Sequence, residues 1–286
     1  MDRGSDDYRL LDFGDGRKLE QFGPYVLDRP APAAEGVSRR DESSWRRADA
    51  VFVRGEGDQG TWRRAGDMPE SWTISCAGLC LEIKPTPFGH VGFFPEQIAN
   101  WQWIATQVSQ ARRPLKVLHL FAHTGGATLA AAAAGAEVVH VDSARNTVGW
   151  ARRNAQYSGL AEAPIRWIVE DAARFARREW KRGNRYDAVI LDPPSFGHGG
   201  KRETWKIDSD LPELLRTCAE LTSDDRAFLL LTCHTPGFES GRLRSLLAEA
   251  LESESGARLE AAPLTVKDAN GRELPSGYVA RWSNRG

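Results

Sequence analysis

Five short apolar runs, VLHLF (117–121), EVVHVD (137–142), IRWIVE (165–170), YDAVILD (186–192) and AFLLLT (227–232), punctuate the middle of the chain. Between them lie stretches whose apolar residues recur at helical spacing, over about 125–135, 144–157, 172–182 and 211–222. Runs this short and this continuously apolar have no face to turn toward water, so they belong inside a sheet covered on both sides. Alternation with helices makes each connection a crossover and the strands parallel. The expected fold class is α/β: a doubly wound, mostly parallel, Rossmann-like sheet.

The texture before this region is different. In YRLLDFGDGRKLEQFG an Asp-Gly turn joins two mixed apolar runs, and VFVR (51–54) and LCLEI (79–83) read as further strands, with a Pro/Ala stretch and polar loops between them. A proline then opens PEQIANWQWIATQVSQ, whose apolar spacing is helical. This gives a small β-rich N-terminal domain over 1–95 and a larger α/β domain over 96–286, with no internal repeat.

Composition narrows the class of partner. The 286 residues carry a formal net charge of -1 with 27% charged residues, so a polyanion would have to meet a local basic patch rather than a cationic molecule. The N-terminal MDRGSDDYRL lacks the apolar core of a signal peptide, and no apolar run is long enough to span a bilayer. Four scattered cysteines, Cys76, Cys80, Cys218 and Cys233, fit a reducing compartment. A cytoplasmic protein without a metal site or a membrane partner is expected, and nothing in the sequence points to an oligomeric state. Cys76 and Cys80 read as packing positions, since no second cysteine pair completes a zinc site.

In an open α/β sheet the ligand sits at the carboxyl ends of the strands, where the first strand gives way to a glycine turn and a helix N-terminus. Phe121 to Thr128 (FAHTGGAT) is that place, with Gly125 and Gly126 letting backbone approach the ligand. The loop lacks both the third glycine of a dinucleotide fingerprint and the Gly-Lys-Ser/Thr of a phosphate loop. Asp142 closes the second strand, suited to accept both hydroxyls of a ribose, and Asp171 follows the third, where an adenine edge can be read. The inferred ligand is a ribose with adenine and no phosphate. The fourth strand ends in LDPPSF, where Pro193 and Pro194 fix a rigid extended turn after Asp192 and aim backbone carbonyls and the carboxylate at the crevice.

This ladder resembles class I S-adenosylmethionine-dependent methyltransferases. FAHTGGAT, VDSARNTVGWARRNAQYSGL, VEDAARF, DPPSF and LLLTCH are similar to the corresponding blocks of bacterial 23S ribosomal RNA base methyltransferases, the cytosine-C5 and guanine enzymes. The match covers roughly 88–240 and includes GFFPEQIANW, where the family's usual Phe-Leu-Asp-Gln-Arg reads Phe94, Pro95, Glu96, Gln97 and Ile98, without the arginine. The resemblance implies S-adenosylmethionine as cofactor, held by Phe94, Gln97, Phe121, His123, Thr124, Gly125, Gly126, Asp142, Ser143, Asp171, Ala172 and Asp192. His123 stands where a tyrosine is usual and is expected to pack against the cofactor. Asp192, Pro193 and Pro194 would present the acceptor, and Cys233 occupies the place of the cysteine nucleophile of the cytosine enzymes. Its neighbours Thr232 and His234 depart from that pattern, which favours chemistry without a nucleophile, and Ser195 directly after the prolines disfavours an adenine target.

Transfer to a base of RNA, 23S ribosomal RNA in particular, is therefore expected, at a guanine nitrogen or cytosine C5. The alternative is a small-molecule or protein methyltransferase on the same scaffold. Two basic segments bear on this: RFARREWKRGNR (174–185), read as a solvated helix face, and Lys201, Arg202 and Lys206 around Trp205, read as a crevice border where cations hold phosphates while the indole stacks on a base.

Overall fold

The computed structural model describes residues 6–55, 57, 59–198, 204–222, 225–251 and 256–284. The chain divides into two compact units, Met1–Ile98 with Thr265–Ser276, and Ala99–Leu264 with Gly277–Gly286.

The first unit is built on a five-stranded sheet, β1 (Tyr8–Gly14), β2 (Arg17–Phe22), β3 (Tyr25–Pro30), β4 (Ala50–Arg54) and β5 (Gly60–Arg64), in that order. The Asp15-Gly16 turn makes β1 and β2 a hairpin because both residues take the left-handed conformation, φ 52° and 69°. All pairings are antiparallel except β3 with β4, which are joined through the short helix α1 (Glu42–Trp45). A second hairpin, β6 (Trp72–Cys76) and β7 (Leu79–Ile83), carries the two clustered cysteines. Cys76 is buried and its thiol is pushed up to about 12, by burial first and then by Asp6 and Asp7. Both cysteines are strand residues, as the sequence suggested.

Glu20 anchors this unit. It is fully buried, receives Arg29 at 2.6 Å and Lys18 at 3.2 Å, and accepts the Tyr8 hydroxyl at 3.0 Å. Burial alone would raise its pKa, but the two cations outweigh it and hold the carboxyl below its ordinary value.

The second unit opens with α2 (Ile98–Ser109) and continues in the expected alternation: β8 (Lys116–Leu120), α3 (Gly126–Ala133), β9 (Glu137–Asp142), α4 (Arg145–Tyr157), β10 (Ile165–Val169), α5 (Ala172–Lys181) and β11 (Ala188–Leu191). A small hairpin follows, β12 (Phe196–His198) with β13 (Thr204–Lys206), then α6 (Ile207–Leu221), β14 (Phe228–Cys233) and α7 (Ser240–Leu251). Strands β15 (Arg258–Lys267) and β16 (Glu273–Ser283) complete a seven-stranded sheet in the order β10-β9-β8-β11-β14-β16-β15. The first five run parallel, and β16 is antiparallel to β14. Two apolar clusters cover the two faces. One joins α5, α6 and α7 to the sheet through Phe175, Leu215 and Leu247, and the other joins α2 and α3 through Ile104 and Ala131.

The amino ends of the central strands are pinned by Asp187. Its carboxylate takes a two-pronged contact from Arg113 at 2.6 and 2.8 Å and the Lys116 amide at 2.8 Å. Its own amide donates to the Lys116 carbonyl, and its carbonyl accepts from Ala227.

Helix α6 starts earlier than expected, at Ile207, and takes Pro212 into its second turn at the cost of one backbone hydrogen bond. The sequence reading gave no strands beyond 232. There the ends of β15 and β16 and the turn between them, Thr265–Ser276, belong to the first unit, where Val266 and Leu274 pack with Leu10 and Phe13.

Removing one partner of the buried Glu20 pair strands a charge. Glu20→Ala is expected to lower unfolding free energy by about 3–5 kcal/mol in denaturant titration. Because the folded pKa of Glu20 is depressed, its contribution is present above the ordinary carboxylate range and is lost as pH falls through the folded value. The wild-type chain should therefore lose stability in acid more steeply than the variant.

Candidate functional site

Parallel register sets the site. Leu120 pairs with Val141 and with Leu191, so the next residues, Phe121, Asp142 and Asp192, emerge in one row at the carboxyl ends of β8, β9 and β11.

The loop after β8 is held in an unusual shape. Phe121 and His123 adopt left-handed φ angles of 55° and 47°, which non-glycine residues hold only when the surroundings enforce it. Asp142 supplies one such restraint: its Oδ2 accepts the His123 amide at 2.9 Å, while Oδ1 accepts the Ala144 amide at 2.9 Å. The Asn154 side chain adds another by donating to the Thr124 carbonyl at 2.9 Å. Gly125, φ 89°, precedes α3, and at Gly126 an added Cβ would stand 2.1 Å from the Trp101 ring, so the close approach requires glycine at both.

Under this loop lies a polar network that the sequence reading missed. The Thr128 hydroxyl sits between His119 Nδ1 at 2.7 Å and His140 Nδ1 at 2.9 Å, all three residues buried in otherwise apolar elements. Burial pushes His119 down to about 4, with Asp192 pulling weakly the other way, and takes His140 well below its ordinary value. Both rings are thus neutral. His140 Nε2 has no partner among the described residues, so the cheapest arrangement has His140 donating from Nδ1 to Thr128 and Thr128 donating to His119. The available sequence signal was two histidines centred in apolar strands.

A narrow cleft of about 50 Å³ brings the expected residues together. Phe121, Asp142, Ser143, Asp171, Ala172 and Pro194 line it, joined by Gly197 and Trp205. Asp171 is the N-cap of α5, its Oδ1 accepting from Arg174 at 2.8 Å, and Ala172 contributes one of the first amides of that helix, which have no intrahelical acceptor. His123, Thr124 and both glycines lie in the adjoining loop. Phe94 and Gln97 are in the first unit, at a 3-10 turn spanning Pro95–Gln97.

Trp205 corrects an expectation. It is only 7% exposed, its indole donates to the Pro194 carbonyl at 2.7 Å, and its ring stands 5.1 Å from Phe121. It is a wall of the cleft and the brace of the Pro-Pro turn, not an exposed platform among surface cations. Lys206 is exposed on β13, and Lys201 and Arg202 lie outside the described residues.

Beyond the prolines, two strand-end loops are tied together. His234 Nε2 is 3.4 Å from Asp192 Oδ1, and the Ser195 and Thr235 hydroxyls are 2.7 Å apart. Burial would raise the Asp192 pKa, but His234 and the Thr232 hydroxyl outweigh it and keep the carboxyl below its ordinary value. A third of the Asp192 side chain remains accessible, so the site offers an anionic acceptor beside two prolines with no amide proton. Cys233 is fully buried at the end of β14, facing Tyr278 across the ladder, and its thiol is raised by burial despite hydrogen bonds from Thr235. That environment argues against a thiolate. Among the described residues, no group of three acidic, histidine or cysteine side chains could hold a metal, and no helix is long and apolar enough to cross a membrane.

The residues of the cleft fit an adenosine. Each Asp142 oxygen already accepts one amide and keeps a lone pair open toward the cleft, enough for a further hydroxyl donor.

Comparison with known proteins agrees. Residues 44–248 match the family model for S-adenosylmethionine-dependent methyltransferases. The crystal structure of a SAM-dependent methyltransferase from Agrobacterium tumefaciens superimposes with a TM-score of 0.93 at 39% identity, over 99% of this chain and 92% of that one. The ribosomal RNA large subunit methyltransferase I of Aeromonas salmonicida is 36% identical over 157 residues, 54% of this chain and 39% of that protein. The ribosomal RNA large subunit methyltransferase K/L of Pseudoalteromonas atlantica is 30% identical over 203 residues, 70% of this chain and 26% of that protein. The chain thus spans less than half the length of these two relatives.

The neutral histidine pair has a pH consequence. Unfolded histidines take up protons below about 6.5, whereas native His119 does so only near 4, so stability is complete above the first value and declines as pH falls toward the second. Thermal unfolding should track this window, and nitrogen chemical shifts should report neutral rings for His119 and His140 down to about pH 5. Charged rings there would overturn the hydrogen-bond assignment.

Proposed function

The chain belongs to the S-adenosylmethionine-dependent methyltransferase family, and from that premise we propose that it methylates a base of RNA, with 23S ribosomal RNA as substrate and a guanine nitrogen as acceptor. The observation that carries the choice of atom is the contrast between Asp192, ionised and accessible, and Cys233, buried and protonated. Methylation of cytosine C5 requires a thiolate to add to C6 first, whereas a nitrogen brings its own lone pair.

Bound S-adenosylmethionine supplies an electrophilic methyl group that a lone pair displaces in line, a reaction that needs alignment and no metal. In this proposal Asp142 accepts the two ribose hydroxyls, and Ser143 borders them. Asp171 and the Ala172 amide read the adenine edge, and Phe121 with Trp205 walls the ring. The loop of His123, Thr124, Gly125 and Gly126 lies along the cofactor with its backbone exposed. Asp192 accepts a hydrogen bond from an N–H of the acceptor, and the Pro193 and Pro194 carbonyls fix its approach, so that the nitrogen lone pair faces the methyl group. Phe94 and Gln97 enter the proposal on sequence resemblance alone. We assign methyl transfer to the α/β domain, 96–286 by sequence, in a cytoplasmic enzyme whose β-rich N-terminal domain serves the substrate. Two relatives named as ribosomal RNA methyltransferases support the RNA reading.

The experiment that tests the reading is mass spectrometry of nucleosides from ribosomal RNA of a deletion strain. One methylated guanine should be missing. Unchanged ribosomal RNA would move the reading to small-molecule or protein substrates.

Two sets of variants test the roles. Calorimetry should find Asp142→Ala weakening S-adenosylmethionine by about 1–3 kcal/mol, through lost charged hydrogen bonds. Asp192→Ala should abolish transfer while cofactor affinity stays within several-fold. For the acceptor atom, Cys233→Ala should retain most of the rate, and the wild type should form no covalent adduct with RNA containing 5-fluorocytosine. An adduct at Cys233 would establish the cytosine chemistry instead.

A further inference from the structure

The first unit presents an exposed aromatic ring on a turn whose backbone is fastened from several sides. Phe88 is 53% exposed, at the tip of a turn between Thr86 and His90. Within it the Gly89 amide donates to the Thr86 carbonyl at 3.1 Å and the Thr86 amide to the His90 carbonyl at 2.9 Å, and the Pro87 carbonyl accepts the Gly60 amide at 2.7 Å. The Thr86 carbonyl accepts the Trp62 indole at 2.8 Å, and the Gly89 carbonyl accepts Arg29 at 3.2 Å. Arg29 is itself locked by Glu20, and Gly89, φ +77°, packs so close to the Phe52 ring that a Cβ would lie 3.1 Å away. A buried ion pair and an obligatory glycine therefore fix the backbone of the turn that carries this exposed side chain.

Phe88 borders a cavity of about 280 Å³, near the lower end of the size range of small-ligand pockets. Phe93 and Phe94 supply further aromatic wall, and Lys18, Arg29 and Arg54 line it against a single acid, Glu96. Arg29 and Lys18 share the single Glu20 carboxylate, which leaves that pair one positive charge in excess, and the exposed Arg54 adds a second on the rim. There is no glycine-rich phosphate loop here to cradle a free nucleotide's phosphate chain. Dispersed rim cations around an aromatic face are the arrangement that tracks a nucleic-acid backbone while a base stacks.

We propose that this cavity of the first unit binds one unstacked nucleotide of single-stranded RNA, with the base on Phe88 and the flanking phosphates on Lys18 and Arg54. The proposal rests on the RNA reading above and names the surface that would recognise that substrate. The fastened turn removes the backbone ordering cost that a mobile loop would pay on binding.

Fluorescence anisotropy with a labelled, unpaired RNA oligomer of mixed sequence, using the full-length protein, tests it. Phe88→Ala should weaken binding roughly 10- to 100-fold, Phe88→Trp should preserve it, and calorimetry should find S-adenosylmethionine affinity unchanged in both. Arg54→Ala should reduce the slope of log affinity against log salt by about 0.7, one phosphate's share on a single strand. Phe88→Leu keeps apolar bulk without a π face and should bind as weakly as the alanine variant. Leucine binding as tightly as phenylalanine would overturn stacking and point to an apolar protein contact. Wild-type and Phe88→Ala proteins of equal RNA affinity would overturn this site alone, and a wild type that binds no RNA would overturn the RNA reading with it.

Discussion

The carboxylate of Asp187 fixes the geometry on which everything at the other end of the sheet depends. It lies just before β11, where it joins Arg113 to the Lys116 amide while its backbone bridges β8 and the start of β14. Three parallel strands are thereby locked in register at their amino ends. Register in a sheet is all or nothing, because a slip of one residue turns every side chain to the opposite face. With Asp187 in place, Phe121 and Asp192 leave their strands level with each other, and Asp142 leaves beside them. The polar row that could hold a cofactor and an acceptor is thus defined about four residues away, by a contact that touches neither.

Strain and restraint are balanced in the loop that follows. Two non-glycine residues in the left-handed region cost on the order of 1–3 kcal/mol each. The Asp142 carboxylate offsets part of this by binding the His123 amide, so the same group that would accept a ribose also shapes the loop beside it. The neutral Thr128 network stiffens the floor without adding a charge beneath a site that already carries Asp142 and Asp192.

Much of the α/β unit was legible in the sequence because its strands are continuously apolar and its turns are marked by Gly125, Asp142, Asp171 and Pro193. Those signals are local. What escaped depends on distant partners. Nothing local in Trp205 tells that its indole reaches the Pro194 carbonyl rather than a ligand, and nothing near His119 or His140 tells that Thr128 lies between them. Strand β16 has its apolar residues interrupted by Pro275, Ser276, Gly277 and Arg281, so it shows neither a continuous nor an alternating pattern and went unread. Cys233 stands where the resemblance places a nucleophile, Thr232 and His234 already spoke against that role, and burial, which no motif encodes, raises its thiol pKa.

The excursion of residues Thr265–Ser276 into the first unit has a consequence for biosynthesis. Arg272 from that hairpin binds Asp12 and Asp268, and Asp268 bridges to Leu10, so the edge of the five-stranded sheet is finished by a segment made only after the parallel strands β8 to β14. A chain emerging from the ribosome exposes Leu10 and Phe13 through the synthesis of the entire seven-stranded sheet's first five strands before Val266 and Leu274 arrive to cover them. The first unit therefore waits, incomplete, for residues that follow the parallel strands, and a nascent chain arrested before Leu274 lacks part of its core.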